Sequence, residues 1–140
     1  MIDHLSSYTQ HFDSARQFYE STLTALGYPV VAEMVASWEE AFPTRRLCAF
    51  GPNGKAILWL IESTELATPT HLAFAAESRD LVHAFYDIGL ANGGRNNGEP
   101  GLRPVYHEHY YGSFLLDPDG NNVEAVCHKP PVRHAAEARP

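Results

Sequence analysis

An internal repeat constrains this chain more than any other feature. At a separation of 67 residues, His4-Leu5 recurs as His71-Leu72, Phe18-Tyr19 as Phe85-Tyr86 and Gly27 as Gly94, with no gap. Matches held in one register, and carried by an uncommon histidine and an aromatic pair, indicate duplication of a supersecondary unit. A unit of this size cannot bury its apolar surface alone, so two copies must close one core.

Each half carries the same local signals. Ser14 with Gln17 three residues later has the capping-box pattern, and Ala15, Phe18, Tyr19, Thr22 and Leu26 recur at helical spacing until Gly27. In the second half Ser78 is the expected cap, Leu81, Val82, Phe85 and Ile88 form the apolar stripe, and Gly93-Gly94 ends it. Strand patterns flank both helices at residues 2–8, 29–36, 45–50 and 56–62, then at 70–76, 110–116 and 121–127. Gly51-Pro52-Asn53-Gly54 and Asp117-Pro118-Asp119-Gly120 place proline and glycine as tight turns need them, so each joins the last two strands of its half. A further strand of the second half belongs somewhere in residues 94–108, with Val105-Tyr106-His107 as its best remnant.

The expected class is therefore α+β, with two βαβββ repeats forming a cupped mixed sheet. One domain spans residues 1–128, built of units 1–63 and 70–128 with a linker at 64–69, and residues 129–140 form a mobile tail.

Charge removes several functions. The net charge is −7 and the basic residues are scattered apart from Arg45-Arg46, so no basic stripe exists to neutralise a phosphate backbone, and nucleic acid is not expected as a partner. No apolar run reaches the ~20 residues that span a bilayer, and the start lacks a secretory pattern, so no membrane association is expected and the cytoplasm is the expected compartment. Cys48 and Cys127, each within an apolar run, read as buried hydrophobes suited to a reducing environment. There is no phosphate-cradling Gly-rich loop with Lys-Ser/Thr, no Gly-x-Ser-x-Gly and no Cys-x-x-Cys.

The chemistry-bearing residues follow from the repeat. His4 and His71 sit near the starts of equivalent strands, and Glu124 lies inside an otherwise buriable strand where an unpaired carboxylate is costly. Two imidazoles and a carboxylate match a divalent ion with open positions, with iron, manganese, zinc and nickel all compatible. The same residues also fit a structural role, with the histidines bonded to backbone and Glu124 paired or protonated. Tyr106, His107, His109, Tyr110 and Tyr111 cluster before the penultimate strand, a density of rings with polar tips that suits a pocket. His107 is the candidate general acid or base, or else an exposed loop residue. His11, His83, His128 and His134 are given no role.

The segments around Phe18-Tyr19 to Leu26-Gly27, His71-Leu72-Ala73-Phe74 and Asp117-Pro118-Asp119-Gly120-Asn121-Asn122-Val123-Glu124 resemble the vicinal oxygen chelate superfamily over residues 1–128. That superfamily includes glyoxalase I, extradiol dioxygenases, fosfomycin-resistance thiol transferases and bleomycin-binding proteins. The resemblance implies metal ligands at His4, His71 and Glu124, a cavity lined by Tyr106, Tyr110 and Phe114 with Trp59 as an apolar wall, and a homodimer. The chain departs from glyoxalase I at the fourth ligand, where Trp59 or Leu58 stands according to the registration used. Neither binds a metal, and Glu62 comes three or four residues too late, about 10–13 Å along a strand. The implied function is a divalent-metal-dependent enzyme acting on a small oxygen-bearing organic substrate. The alternative is a metal-free drug- or metabolite-binding protein of the bleomycin-binding type.

Overall fold

A computed structural model describes residues 1–132. The elements run β1 (Leu5–Thr9), α1 (Phe12–Ala25), β2 (Val30–Val35), β3 (Arg46–Phe50), β4 (Leu58–Glu62), β5 (His71–Ala75), α2 (Arg79–Ala91), β6 (Arg95–Leu102), β7 (Tyr111–Leu116) and β8 (Asn122–Cys127). This is βαβββ twice, the α+β arrangement the repeat predicts. The strands form two four-stranded mixed sheets, ordered β1-β4-β3-β2 and β5-β8-β7-β6. In each, the first and last strands pair in parallel and the rest antiparallel.

Alternation gives each sheet one face for the core and one free of helix. On β4, Leu58 and Leu60 are buried in the core while Trp59 and Ile61 point the other way. On β5, Leu72 and Phe74 join the core, and His71, Ala73 and Ala75 lie on the open face. α1 covers β3 and β4, α2 covers β6, β7 and β8, and the two helices touch each other. Gly94 makes that contact possible: a Cβ there would lie 2.7 Å from the Phe18 ring and 2.8 Å from the Gly89 carbonyl.

Three local expectations are corrected. The first helix begins before Ser14, at Phe12, with His11 as N-cap and no side-chain cap. Thr9 Oγ1 instead accepts from the His11 N–H at 2.9 Å, and this turn sets the entry. Ser78 does cap α2, accepting from Leu81 N–H at 3.2 Å, and of the expected stripe Val82 and Phe85 are buried and Leu81 packs partly buried against the core, but Tyr86 and Gly89 are buried beside them where Ile88 is only half-buried. The unassigned strand is β6, a Gly-rich stretch whose two register shifts against β7 erase any alternation, whereas Val105-Tyr106-His107 lies outside any strand in the loop before β7.

The repeat also changes register. α1 ends on Gly27 at φ +93° and α2 on Gly93 at φ +93°, so Gly27 corresponds to Gly93 and the second helix is one residue shorter. Both turns keep the shape their sequences require, with positive φ at Asn53 and Gly54 in one and at Gly120 in the other. Of the expected tail, residues 133–140, which include His134, lie outside the described residues.

Candidate functional site

The open face of the second sheet collects the site. β5 and β8 pair in parallel with His71 opposite Asn122 and Ala73 opposite Glu124, while β7 sets Phe114 opposite Glu124. Side chains at 71, 114 and 124 therefore share one face. They line a cleft of about 500 Å³ with Tyr106, His107 and Tyr110, six residues singled out in the sequence, together with Asn122 and His128.

Glu124 is the centre of this cleft. It is 1 % exposed, yet both of its oxygens are engaged. Oε1 lies 3.1 Å from His71 Nε2, and Oε2 accepts a short hydrogen bond from the Tyr110 hydroxyl. Gly112 leaves the room for this, since a Cβ there would stand 3.2 Å from Oε2. Burial first, and then the Glu124 carboxylate, push the Tyr110 hydroxyl well above the usual phenol range, so it stays a donor.

His71 is oriented for coordination. Its Nδ1 is 3.1 Å from the Asn122 carbonyl, an acceptor, so Nδ1 carries the proton of the neutral ring. The lone pair of Nε2 then faces a carboxylate oxygen, an arrangement that calls for a proton or a cation between them. Two donors 3.1 Å apart, each about 2.1 Å from one ion, enclose about 95° there, an ordinary angle between neighbouring ligands. The carbonyl behind Nδ1 is the outer partner that metal-binding histidines commonly have. This pair fits a divalent ion.

The third expected ligand is elsewhere. His4 precedes β1, and its Nδ1 is 2.7 Å from Asp3 Oδ1, with Asp3 held in turn by Lys55 at 3.0 Å. It lines a separate cleft of about 320 Å³ that His71 also borders, but it does not reach the Glu124 cleft. Among the described residues no group of three His, Cys, Asp or Glu side chains is placed to hold one ion. Within one chain no residue of the first sheet lines the Glu124 cleft.

Trp59 is likewise displaced. Ser6 pairs with Trp59 as Ala73 pairs with Glu124, so Trp59 occupies the position equivalent to Glu124 and faces away from the core. It lines neither cleft within the chain. Glu62 is paired with Arg46 at 2.8 Å, and that guanidinium holds its carboxyl below the usual range.

His128 is a site residue that the sequence reading missed. Alternation along β8 from Glu124 through Val126 already points position 128 to the open face. His107 Nδ1 accepts from the His109 N–H at 3.1 Å, so its Nε2 holds the proton and donates to His128 Nδ1 at 2.8 Å. His128 Nε2 is left as the terminal N–H of the chain. Both rings lie edge-on to Tyr110, with centroids 5.5 and 5.3 Å away.

The family model described as "Glyoxalase/Bleomycin resistance protein/Dioxygenase superfamily" matches residues 1–125. Among solved structures, a glyoxalase/bleomycin resistance protein from Albidiferax ferrireducens T118 is 27% identical, with a TM-score of 0.63 over 91% of this chain and 98% of that one. A glyoxalase I mutant from Zea mays is similar in fold at 18% identity and TM-score 0.65, covering 89% of this chain and 45% of that one. A mutant of a genomically encoded fosfomycin resistance protein from Listeria monocytogenes, complexed with Mn(II) and 1S,2S-dihydroxypropylphosphonic acid, is similar at 15% identity and TM-score 0.64, over 90% of each chain. No curated protein matches.

Proposed function

The chain belongs to the glyoxalase/bleomycin resistance protein/dioxygenase superfamily, and on that premise we propose that it is a divalent-metal-dependent enzyme acting on a small oxygen-bearing organic molecule. His71 and Glu124 would hold the ion, and His4 of a second copy would supply the third ligand where the open face of its first sheet meets this cleft. A bound divalent ion supplies Lewis acidity toward a substrate oxygen. The observation that carries the reading is the 3.1 Å approach of His71 Nε2 to Glu124 Oε1 with Nδ1 tied back to a carbonyl.

The chain's own groups do the rest. Tyr110 fixes the second oxygen of Glu124 and keeps it from rotating away. The His107–His128 pair leaves the Nε2–H of His128 beside the cleft as a hydrogen-bond donor for a substrate oxygen. Tyr106 and the edge of Phe114 give the cleft apolar contact for a flat substrate. No helix among the described residues is long and apolar enough to cross a membrane. Free, buried Cys48 and Cys127 suit a reducing compartment, which supports a cytoplasmic enzyme.

Metal content tests the reading on protein purified without chelators. About one ion per chain, lost in His71→Ala, is the expected result. A metal-free protein that binds ligands unchanged in that variant would establish the second reading, a binding protein, which the lack of a three-ligand group among the described residues of one chain favours.

A further inference from the structure

Arg103 lies just beyond β6 and turns its guanidinium back across that strand. Nη2 donates to the Glu99 carbonyl at 2.6 Å, and the guanidinium carbon sits 5.3 Å from the centre of the Phe114 ring. The space it fills exists because two positions of β6 lack side chains. A Cβ on Gly98 would lie 3.3 Å from Nη2 and 2.9 Å from the Phe114 ring, and one on Gly101 would lie 3.2 Å from Nη1. The backbone clamps it as well: Arg103 N–H donates to the Tyr110 carbonyl at 2.8 Å, and Tyr106 N–H donates to the Arg103 carbonyl at 3.0 Å.

Arg16, Arg45 and Arg46 are each paired with a carboxylate, whereas Arg103, like Arg79 and Arg95, has no carboxylate partner among the described residues, and of these three it is the one held against Phe114. Glu108, in the same loop, lies against His109 instead. Phe114 links this cation to the site, because the ring under Arg103 also stacks with His71, centroids 6.3 Å apart. A guanidinium held against an apolar ring, with several N–H groups uncommitted, is a fork for a planar or tetrahedral anion.

We infer that Arg103 is the seat for an anionic group of the substrate, a small molecule that carries a carboxylate, phosphonate or sulfonate at one end and passes the edge of Phe114, whose faces are taken by Arg103 and His71, to reach the cleft. This rests on the reading of the cleft as a substrate site and deepens it. From β6 to β8 is two strand spacings, roughly 10 Å. The anion and the oxygens addressed by His71 and Glu124 are therefore at opposite ends of the molecule.

Calorimetric titration with phenylphosphonate and benzoate, against neutral methyl benzoate, tests this on metal-loaded and chelator-stripped protein. The expected result is a preference for the anions that weakens with salt, falls about tenfold or more in Arg103→Met and is partly kept in Arg103→Lys, with methyl benzoate unaffected. Stripped protein removes direct anion–metal contact from the comparison. If the protein proves metal-free yet keeps the dependence on Arg103, the metal reading fails and the anion seat stands. Equal anion affinity in wild type and Arg103→Met, or no preference for anions in wild type, overturns the seat whatever the metal content. Should Arg103→Met not fold, the Arg103→Lys ratio and the salt dependence decide the matter in the same way.

Discussion

The hydroxyl of Tyr19, on α1 of the first half, donates a hydrogen bond to Oδ2 of Asp117, in the turn between β7 and β8 of the second. Both residues are buried, and the remaining capacity of Asp117 goes to the backbone of Asp119 and Asn121 and to the Asn121 side chain. Tyr19→Phe removes the only one of these donors that comes from the other half. A loss of about 1–3 kcal/mol is expected, seen as a lower denaturation midpoint at unchanged slope.

The same phenol predicts an alkaline limit. Burial first, and then Asp117, push its ionisation well above the ordinary 10.0. A group whose folded value is raised contributes stability that is intact below the unfolded value and declines as pH climbs through the folded one. The melting temperature should therefore drop as pH rises beyond about 10, and Tyr19→Phe should flatten that drop. Tyrosinate absorbance that titrates normally without unfolding would contradict the burial argument.

Tyr110→Phe strips one oxygen of Glu124 of its donor and leaves the other facing His71. Loss of such an outer partner typically weakens a bound ion about 10–100-fold. Competition against a chromogenic chelator measures it, and an unchanged affinity would remove Tyr110 from the site.

Gly94→Ala tests the helix contact. The added methyl meets the Gly89 carbonyl at 2.8 Å, and backbone cannot step aside as a side-chain tip can. Overpacking of this kind costs about 1–3 kcal/mol, which should appear as a lowered melting temperature with helix content preserved in far-ultraviolet circular dichroism.

If His4 acts across copies, two inactive variants must complement each other. A one-to-one mixture of His4→Ala and His71→Ala, unfolded and refolded together, regains about one intact site in four, because each site draws its groups from different chains. Light scattering should show a dimer throughout. A mixture as empty of metal as its parents would place His4 outside the centre.

Much of the architecture was legible because repeat, turn and alternation signals agreed. Phe18-Tyr19 and Phe85-Tyr86 fixed both helices, and the two Pro/Gly turns fixed the hairpins. β6 was hidden because Gly98 and Gly101 serve Arg103 rather than the core, which leaves no alternating pattern to read. The Glu124 cleft was legible for side chains on one sheet. His4 and Trp59 were not placed correctly, because a repeat says which residues are equivalent but not which faces meet. That depended on the helix contact at Phe18, Gly89 and Gly94, whose small residues carry no pattern of their own. His107 was foreseen without its partner, since His128 falls just past the end of β8.

Each half closes its own ladder of strands, and among the described residues the hydrogen bonds across the seam all involve side chains: Thr9 to Asp119, Gln17 to Asn92, Tyr19 to Asp117, and Tyr28 to the Ala75 carbonyl, beside the apolar core that both halves share. Unzipping that seam breaks no strand pairing. Two chains that traded halves would remake these bonds and the shared core identically in the exchanged pair, which makes the connector at residues 64–69 the point where a shorter or stiffer segment would tip the molecule from self-contained to interlocked.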